Sequence, residues 1–476
     1  MSNEKRTAFD KYLAQLENAA KVLNLDPRIY ERLQIPERLI RGEVHVENDN
    51  GTWTPYKVFR CQHSHARGPT QGGTRFDLAV CESEVKFLSA MMTMKNTIDK
   101  IWNGGGKGGI CVDKTKLSLG EGERMCRGYT RTIHPWIGPR RDGPAPDVNT
   151  GGQEMSWFLD EQERLAGEHQ FAAFTGKPIG LGGSEGRGNA TALGAVYATE
   201  AMMEKLGLKG KKLTIAIEGF GNAGNFYAKL MDERGHIIES VSDRSGVIFK
   251  KGGFNYADLY KFCYNEKDKK VRKVMEYPFK DNLTSEEAEL LSLNCDIFAP
   301  AAFEDKIDAE MARKIKSKFI VELANGPCTE EADAILAERG VEIIPDIYAS
   351  AGGVRVSAAE KIQGFENQGW EAERVKIWLE TRMTDAFRDL VAVRNQYHLK
   401  SFREAAMVFA VREVAAAMTW RGGFDYPHGE VIDVEPVKVY KDLSKRDNLH
   451  YALTLGGKTK KFVYDYEAKT HTEILK

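Results

Sequence analysis

Leu213-Thr214-Ile215-Ala216-Ile217-Glu218-Gly219-Phe220-Gly221-Asn222-Ala223-Gly224 runs an apolar segment straight into a GxGxxG turn, and a helical pattern follows from Asn225 to Glu233. Strand, glycine turn and helix in that order form a dinucleotide-binding unit. Gly219 allows the tight turn, Gly221 lets a pyrophosphate approach the backbone, and Gly224 permits close helix–strand packing, with Asn222 and Ala223 between them. A second strand, His236 to Ser240, leads to Asp243, about 20 residues beyond the turn, where an acid accepts hydrogen bonds from an adenosine ribose. That favours NAD. Arg244 beside it would suit a ribose phosphate, so NADP stays open, and Asp243 is also placed to be an ordinary turn residue.

Outward from this unit the alternation continues. Apolar strands are expected at 297–299, 319–322 and 341–344, with helical patterns at 305–315 and 329–339. Strands alternating with helices predict a parallel, doubly wound Rossmann-like sheet. Upstream, 9–23 has helical spacing, Asn50-Gly51 marks a hairpin with a return strand at 56–61, and 83–100 is helical again. Downstream, 371–421 is helical, and the last residues alternate apolar with charged in a β-rich pattern. The divisions expected are 1–188, 189–348, 349–423 and a small C-terminal extension, 424–476.

The 476 residues carry 68 basic and 69 acidic side chains, a net charge of −1. Neither nucleic acid nor an anionic membrane is expected as partner. No segment approaches a membrane span. Seven cysteines without a CxxC pair argue against a disulfide framework or structural zinc, for no metal site, and for a reducing, cytoplasmic setting.

Gly104-Gly-Gly-Lys107-Gly-Gly109 places five glycines around one lysine. Glycine is costly inside helices and strands, so a loop is expected, one that brings backbone close to a ligand. A lysine confined there would have its pKa lowered toward a catalytic range. Asp147, on the proline-stiffened segment 143–150, is either a proton-shuttling carboxylate or a turn and cap residue.

Together with these segments, Gln62-His63-Ser64-His65-Ala66-Arg67-Gly68-Pro69, Gly72-Gly73-Thr74-Arg75, Met94-Lys95-Asn96, 175–191, Asn325-Gly326-Pro327 and Gly352-Gly353-Val354 with Ser357 make the chain resemble the glutamate/leucine/phenylalanine/valine dehydrogenase superfamily, most of all its glutamate branch. The resemblance spans about residues 20 to 422. It implies a two-domain subunit: a substrate-binding and oligomerisation domain, completed by the return helices, and the dinucleotide domain. It implies oxidative deamination of an L-amino acid to a 2-oxo acid and ammonia, and a homohexamer. It assigns Lys107 as the catalytic lysine and Asp147 as the acid/base. Lys95 would hold the α-carboxylate, although it also fits a solvated helix charge. Val354 and Ser357 fall at the substrate, Thr191 and Asn325 near the nicotinamide.

Three departures stand out. The glutamate branch carries a lysine before Gly-Gly-x-Arg to grip the side-chain carboxylate; here that position is Gln71, which supplies no charge. After Ser357 the branch's aromatic residues are replaced by Ala358-Ala359-Glu360-Lys361. Arg355 is a candidate replacement charge, but on a helix it points about a quarter turn from Ser357, which favours a surface or interface role. The third departure is the tail. A dehydrogenase of another amino acid, or a non-catalytic regulatory subunit, are the alternatives to glutamate.

Overall fold

The computed structural model describes residues 8–265, 270–279, 283–422 and 428–474. The chain forms two compact units: Met1–Glu185, Ser357–Val375 and Ala410–Lys476 make the first, Gly186–Val356 and Lys376–Phe409 the second.

In the first unit, β1 (Arg38–Glu47) and β2 (Trp53–Ser64) pair antiparallel. The intervening turn holds Gly51 at φ +86°, as the Asn50-Gly51 pair predicts. β3 (Thr70–Phe76), β4 (Gly104–Ile110) and β5 (Asp142–Pro146) continue the sheet: β2 is antiparallel to β4, and β3 lies parallel between β4 and β5. The helix Glu82–Ile98 packs over β4 and β2. The helix Leu119–Ile133 starts with a capping box, the Ser118 hydroxyl accepting from the Glu121 N–H while the Glu121 carboxylate accepts from the Ser118 N–H.

The glycine–lysine segment is not a loop. It is β4, buried at every residue. The expectation weighed glycine's intrinsic strand cost of about 1 kcal/mol and missed what surrounds it. A Cβ on Gly105 would strike the Ser89 carbonyl and Thr93 of the overlying helix, and one on Gly108 would strike the Tyr129 hydroxyl. Neighbouring elements close so tightly on β4 at these positions that only glycine fits there, and this tertiary requirement overrides propensity.

The second unit carries β6 (Thr214–Glu218), β7 (Ile237–Asp243), β8 (Gly246–Phe249), β9 (Ile297–Pro300), β10 (Phe319–Val321) and β11 (Glu342–Ile344), ordered β11-β10-β9-β6-β7-β8. All pairs are parallel except the edge hairpin β7–β8. The order reverses at β6/β9, the switch point at which the carboxyl ends of parallel strands leave room for a ligand.

The tail is β-rich as expected, and it extends the first unit's sheet. β12 (Glu430–Val434) and β13 (Val437–Val439) run parallel to β1, and β14 (Leu449–Leu455), β15 (Lys458–Asp465) and β16 (Thr470–Glu473) add antiparallel strands beyond β12. Ile432, Val439, Leu449 and Tyr466 share a core with Ile40, Val44 and Phe158. Residues 424–427 and 475–476 of this extension lie outside the described residues. Of the stretch 349–423, residues 349–356 and 376–409 cluster with the second unit. No helix among the described residues is long and apolar enough to cross a membrane.

Candidate active site

Lys107 projects from β4 between glycines, and its Nζ contacts Asp147 Oδ2 just past the end of β5. The neighbouring glycines make this contact possible: a Cβ on Gly73 of β3 would lie 2.8 Å from the Asp147 Cβ. Asp147 Oδ1 accepts from the Val148 N–H at 2.7 Å and faces the Arg75 guanidinium at 3.5 Å. The Asp147 N–H is held by the Thr150 hydroxyl at 2.8 Å. Asp147 is thus both a turn residue and a partner of Lys107. Burial, then the Arg75 and Lys95 cations, hold the Lys107 amine well below the usual lysine range. Lys95 sits half-buried on Glu82–Ile98, close enough to act on Lys107 through its charge.

A second polar cluster surrounds Gln71 on β3. Its Nε2 donates to Ser357 Oγ at 2.8 Å and to Thr175 Oγ1 at 3.4 Å, and its Oε1 accepts from Asn103 Nδ2. Thr175 and Ser357 also bond each other. Gln71, Asn103, Thr175 and Ser357 are all buried. Ser357 belongs to the helix Gly352–Glu366; Val354, half-buried, lies in that helix's first turn.

On the second unit, the dinucleotide turn follows β6 and the helix Asn222–Asp232 begins within it. Gly219 has φ +101°, which a side chain would resist. Nothing lies within 4 Å of where a Cβ on Gly221 would stand, so a phosphate can reach the backbone there, while a Cβ on Gly224 would strike the Gly219 carbonyl. These residues fit a dinucleotide.

Asp243 ends β7, and both its oxygens are engaged. Oδ1 accepts from the Ser245 N–H and hydroxyl, and Oδ2 from Lys270 Nζ at 2.6 Å and the Val274 N–H at 3.0 Å. Despite partial burial, these donors hold its pKa at about 2. A carboxylate offers about four acceptor positions, so a ribose hydroxyl would share or displace one of these donors. The exposed Arg244 lies over the Phe303 ring, its guanidinium 5.8 Å from the centroid. Thr191 opens the helix Ala190–Lys205 and lines the space beside Gly353, and Asn325 is exposed shortly after β10.

Comparison with known proteins agrees with this layout. The family profile described as Glutamate/Leucine/Phenylalanine/Valine dehydrogenase matches residues 182–422, and the Glu/Leu/Phe/Val dehydrogenase dimerisation domain matches 36–164. The chain belongs to the glutamate/leucine/phenylalanine/valine dehydrogenase family. It is 38% identical over 429 residues to the NAD-specific glutamate dehydrogenase of Clostridioides difficile, covering 89% of this chain and 100% of that one. It is 40% identical over 418 residues to the glutamate dehydrogenase of Thermotoga maritima, covering 88% and 99%. The hetero-hexameric glutamate dehydrogenase from Thermus thermophilus, in its Leu-bound form, superposes with a TM-score of 0.81 at 30% identity, covering 89% of this chain and 99% of that one.

Within this dehydrogenase, several charged residues gain a place that sequence reasoning did not give them. Arg60 and Asp142, both fully buried, form a two-pronged pair at 2.5 and 2.7 Å beneath Gly106. Lys177 and Glu360 form a second buried pair at 2.6 Å. Arg355 is not a surface residue: it is fully buried, its guanidinium 5.8 Å from the Tyr348 ring centroid. The helix turns it inward as well as away from Ser357. Glu322, Cys328 and Asp333 bring ligand-type atoms within 4.8 Å of one another. Arg403 already sits among them, 2.6 Å from both Glu322 and Asp333, so a cation occupies the middle of that trio.

Proposed function

We propose that this dehydrogenase oxidatively deaminates L-glutamate to 2-oxoglutarate and ammonia, and runs the reverse reductive amination, with NAD preferred over NADP. The first unit binds the amino acid and the second the dinucleotide. The observation that carries this reading is the Lys107–Asp147 contact in a glycine-walled, buried setting with Lys95 close by. The C. difficile relative is named NAD-specific, which supports the cofactor preference.

Lys95 holds the α-carboxylate, and Val354 and Ser357 border the side chain. Asp147 takes a proton from the substrate ammonium, which leaves a free amine to push electrons toward the α-carbon. The bound nicotinamide supplies the acceptor for the hydride leaving that carbon. Lys107, its amine tuned down by burial, withdraws a proton from water as the water attacks the resulting imine. Asp147 then returns a proton to the departing nitrogen. The turn residues Gly219, Gly221, Asn222, Ala223 and Gly224 cradle the pyrophosphate; Asp243 and Arg244 border the adenosine ribose; Thr191 and Asn325 serve the nicotinamide end.

The active form is a homohexamer in the cytoplasm. All seven cysteines are free thiols, which suits a reducing compartment. Trp102 and Trp420, 82% and 88% exposed, suit surfaces that subunits would cover.

A different amino acid as substrate is the second reading, favoured by the neutral Gln71. The test is steady-state NAD and NADP reduction with each common L-amino acid, alongside Lys107→Ala. Glutamate leading, and Lys107→Ala silent with its fold intact, is the expected result. Another amino acid leading would replace the glutamate assignment, and no turnover with any would favour a regulatory subunit.

A further inference from the structure

Gln71 leaves this dehydrogenase without a charge where its relatives' resemblance would put one, yet a buried cation stands beside it. Lys361 lies one helical turn after Ser357 on the helix Gly352–Glu366, so both side chains leave the same face. A point 3.8 Å from Lys361 Nζ is also 3.8 Å from Gln71 Cγ and 3.4 Å from the Ala173 carbonyl oxygen: it is where a Cβ on Gly143 of β5 would stand. Glycine at 143 keeps that space free of side chain. Lys361 is 6% exposed, and its Nζ is buried with no hydrogen-bond partner among the described residues.

We propose that Lys361 reads the acidic end of the substrate, its ammonium pairing with the side-chain carboxylate of the amino acid in place of the lysine missing at position 71. This rests on the glutamate reading given above.

The neighbours leave Lys361 available for that task. Gln71 spends its amide on Ser357, Thr175 and Asn103. Asp142, the carboxylate that acts on Lys361 through its charge, is already clamped by Arg60 and accepts from Gln62 Nε2 at 3.0 Å. Burial pulls the Lys361 pKa down to about 8, so most molecules still carry the charge at neutral pH. An unpaired buried ammonium is costly, and an arriving carboxylate relieves that cost and gains a charged hydrogen bond. Ser357, on the same helix face as Lys361, adds a neutral hydroxyl beside it. Charge has thus moved from the strand to the helix, while the pocket's polar lining stays.

The test compares wild type, Lys361→Met, Lys361→Arg and the double variant Lys361→Met/Gln71→Lys. The readouts are kcat/KM for L-glutamate and for L-norvaline, an unbranched apolar amino acid, and calorimetric binding of glutarate. Lys361→Met is expected to lower kcat/KM for glutamate by about 10- to 100-fold, mostly through KM, and to weaken glutarate to match. Activity on norvaline should hold or rise. Lys361→Arg should retain most glutamate activity, and the double variant should recover part of it. If Lys361→Met does not fold, Lys361→Gln takes its place with the same expectation.

Glutamate activity and glutarate binding within about 2-fold of wild type in the folded variant would overturn the proposal. So would an equal loss on both substrates with a lowered melting temperature, the signature of a purely structural lysine. A wild-type protein that prefers norvaline would instead overturn the glutamate reading beneath it.

Discussion

Glu360 and Lys361 are neighbours in sequence, and both are buried in the first unit, yet their surroundings are opposite. Glu360 accepts from Lys177 Nζ at 2.6 Å, from the Gly176 N–H at 2.7 Å and from the Lys177 N–H at 3.2 Å. Lys177 Nζ in turn also donates to the Phe174 carbonyl. Every charge there is matched within the chain. Lys361, one residue on, has no hydrogen-bond partner among the described residues. The clamped Arg60–Asp142 pair also differs from Lys107, which meets Asp147 but has its amine pushed down by burial and by the Arg75 and Lys95 charges. Matched buried charge holds strands and loops in place. Unmatched buried charge is a standing cost that a ligand can relieve, and it concentrates where substrate chemistry is expected.

The largest effect should come from the lysine of the candidate active site. Lys107→Ala is expected to cut kcat by about 10²- to 10⁴-fold with little change in urea midpoint, because general acid–base groups contribute on that scale. A variant that lost stability and kept kcat would place Lys107 among the structural charges. Breaking a matched pair should do the reverse: Glu360→Ala strands Lys177 and is expected to lower stability by about 3–5 kcal/mol in urea unfolding.

Lys361→Met sharpens the contrast with a change of opposite sign. Removing an unpaired buried ammonium should raise stability at pH 7, by about 1–3 kcal/mol. The folded value, about 8, lies below the unfolded one, ~10.4. Between those two values the unfolded chain binds more protons, so wild-type stability rises with pH there and the penalty is full below about 8. The gap between variant and wild type should therefore shrink as pH climbs from about 8 toward ~10. A gap of constant size would mean that Asp142 or another group already balances the lysine.

The smallest effect is expected at the partly exposed Lys270–Asp243 pair of the second unit. Lys270→Ala should cost roughly 0.2–1 kcal/mol of stability and shift preference from NADP toward NAD by no more than about 5-fold, measured as the ratio of kcat/KM values.

What could be read from the sequence was what is encoded locally. The turn from Gly219 to Gly224 and the strands around it carry their own periodicity, and the second unit followed. The Gly104–Gly109 segment misleads because its glycines answer to Ser89, Thr93 and Tyr129, which sit on the flanking helices outside the segment. Lys107 and Asp147 stand out by their glycine and proline surroundings, and the family resemblance gives them their roles; their contact needs β3, β4 and β5 in register. Asp243 stood out by spacing, but its saturation by Ser245, Lys270 and Val274 depends on a segment some thirty residues later. Lys361 was visible only as missing aromatic bulk after Ser357, since nothing local tells a buried lysine from an exposed one. The tail's alternation gave its strands, while their pairing with β1 is a contact across almost the whole chain.

The most direct test is the wild-type ratio of kcat/KM for L-glutamate over L-norvaline with NAD. A substrate site built around a buried cation should favour glutamate by about 100-fold or more, because the apolar analogue leaves that charge unpaired. Equal rates, or a preference for norvaline, would contradict it.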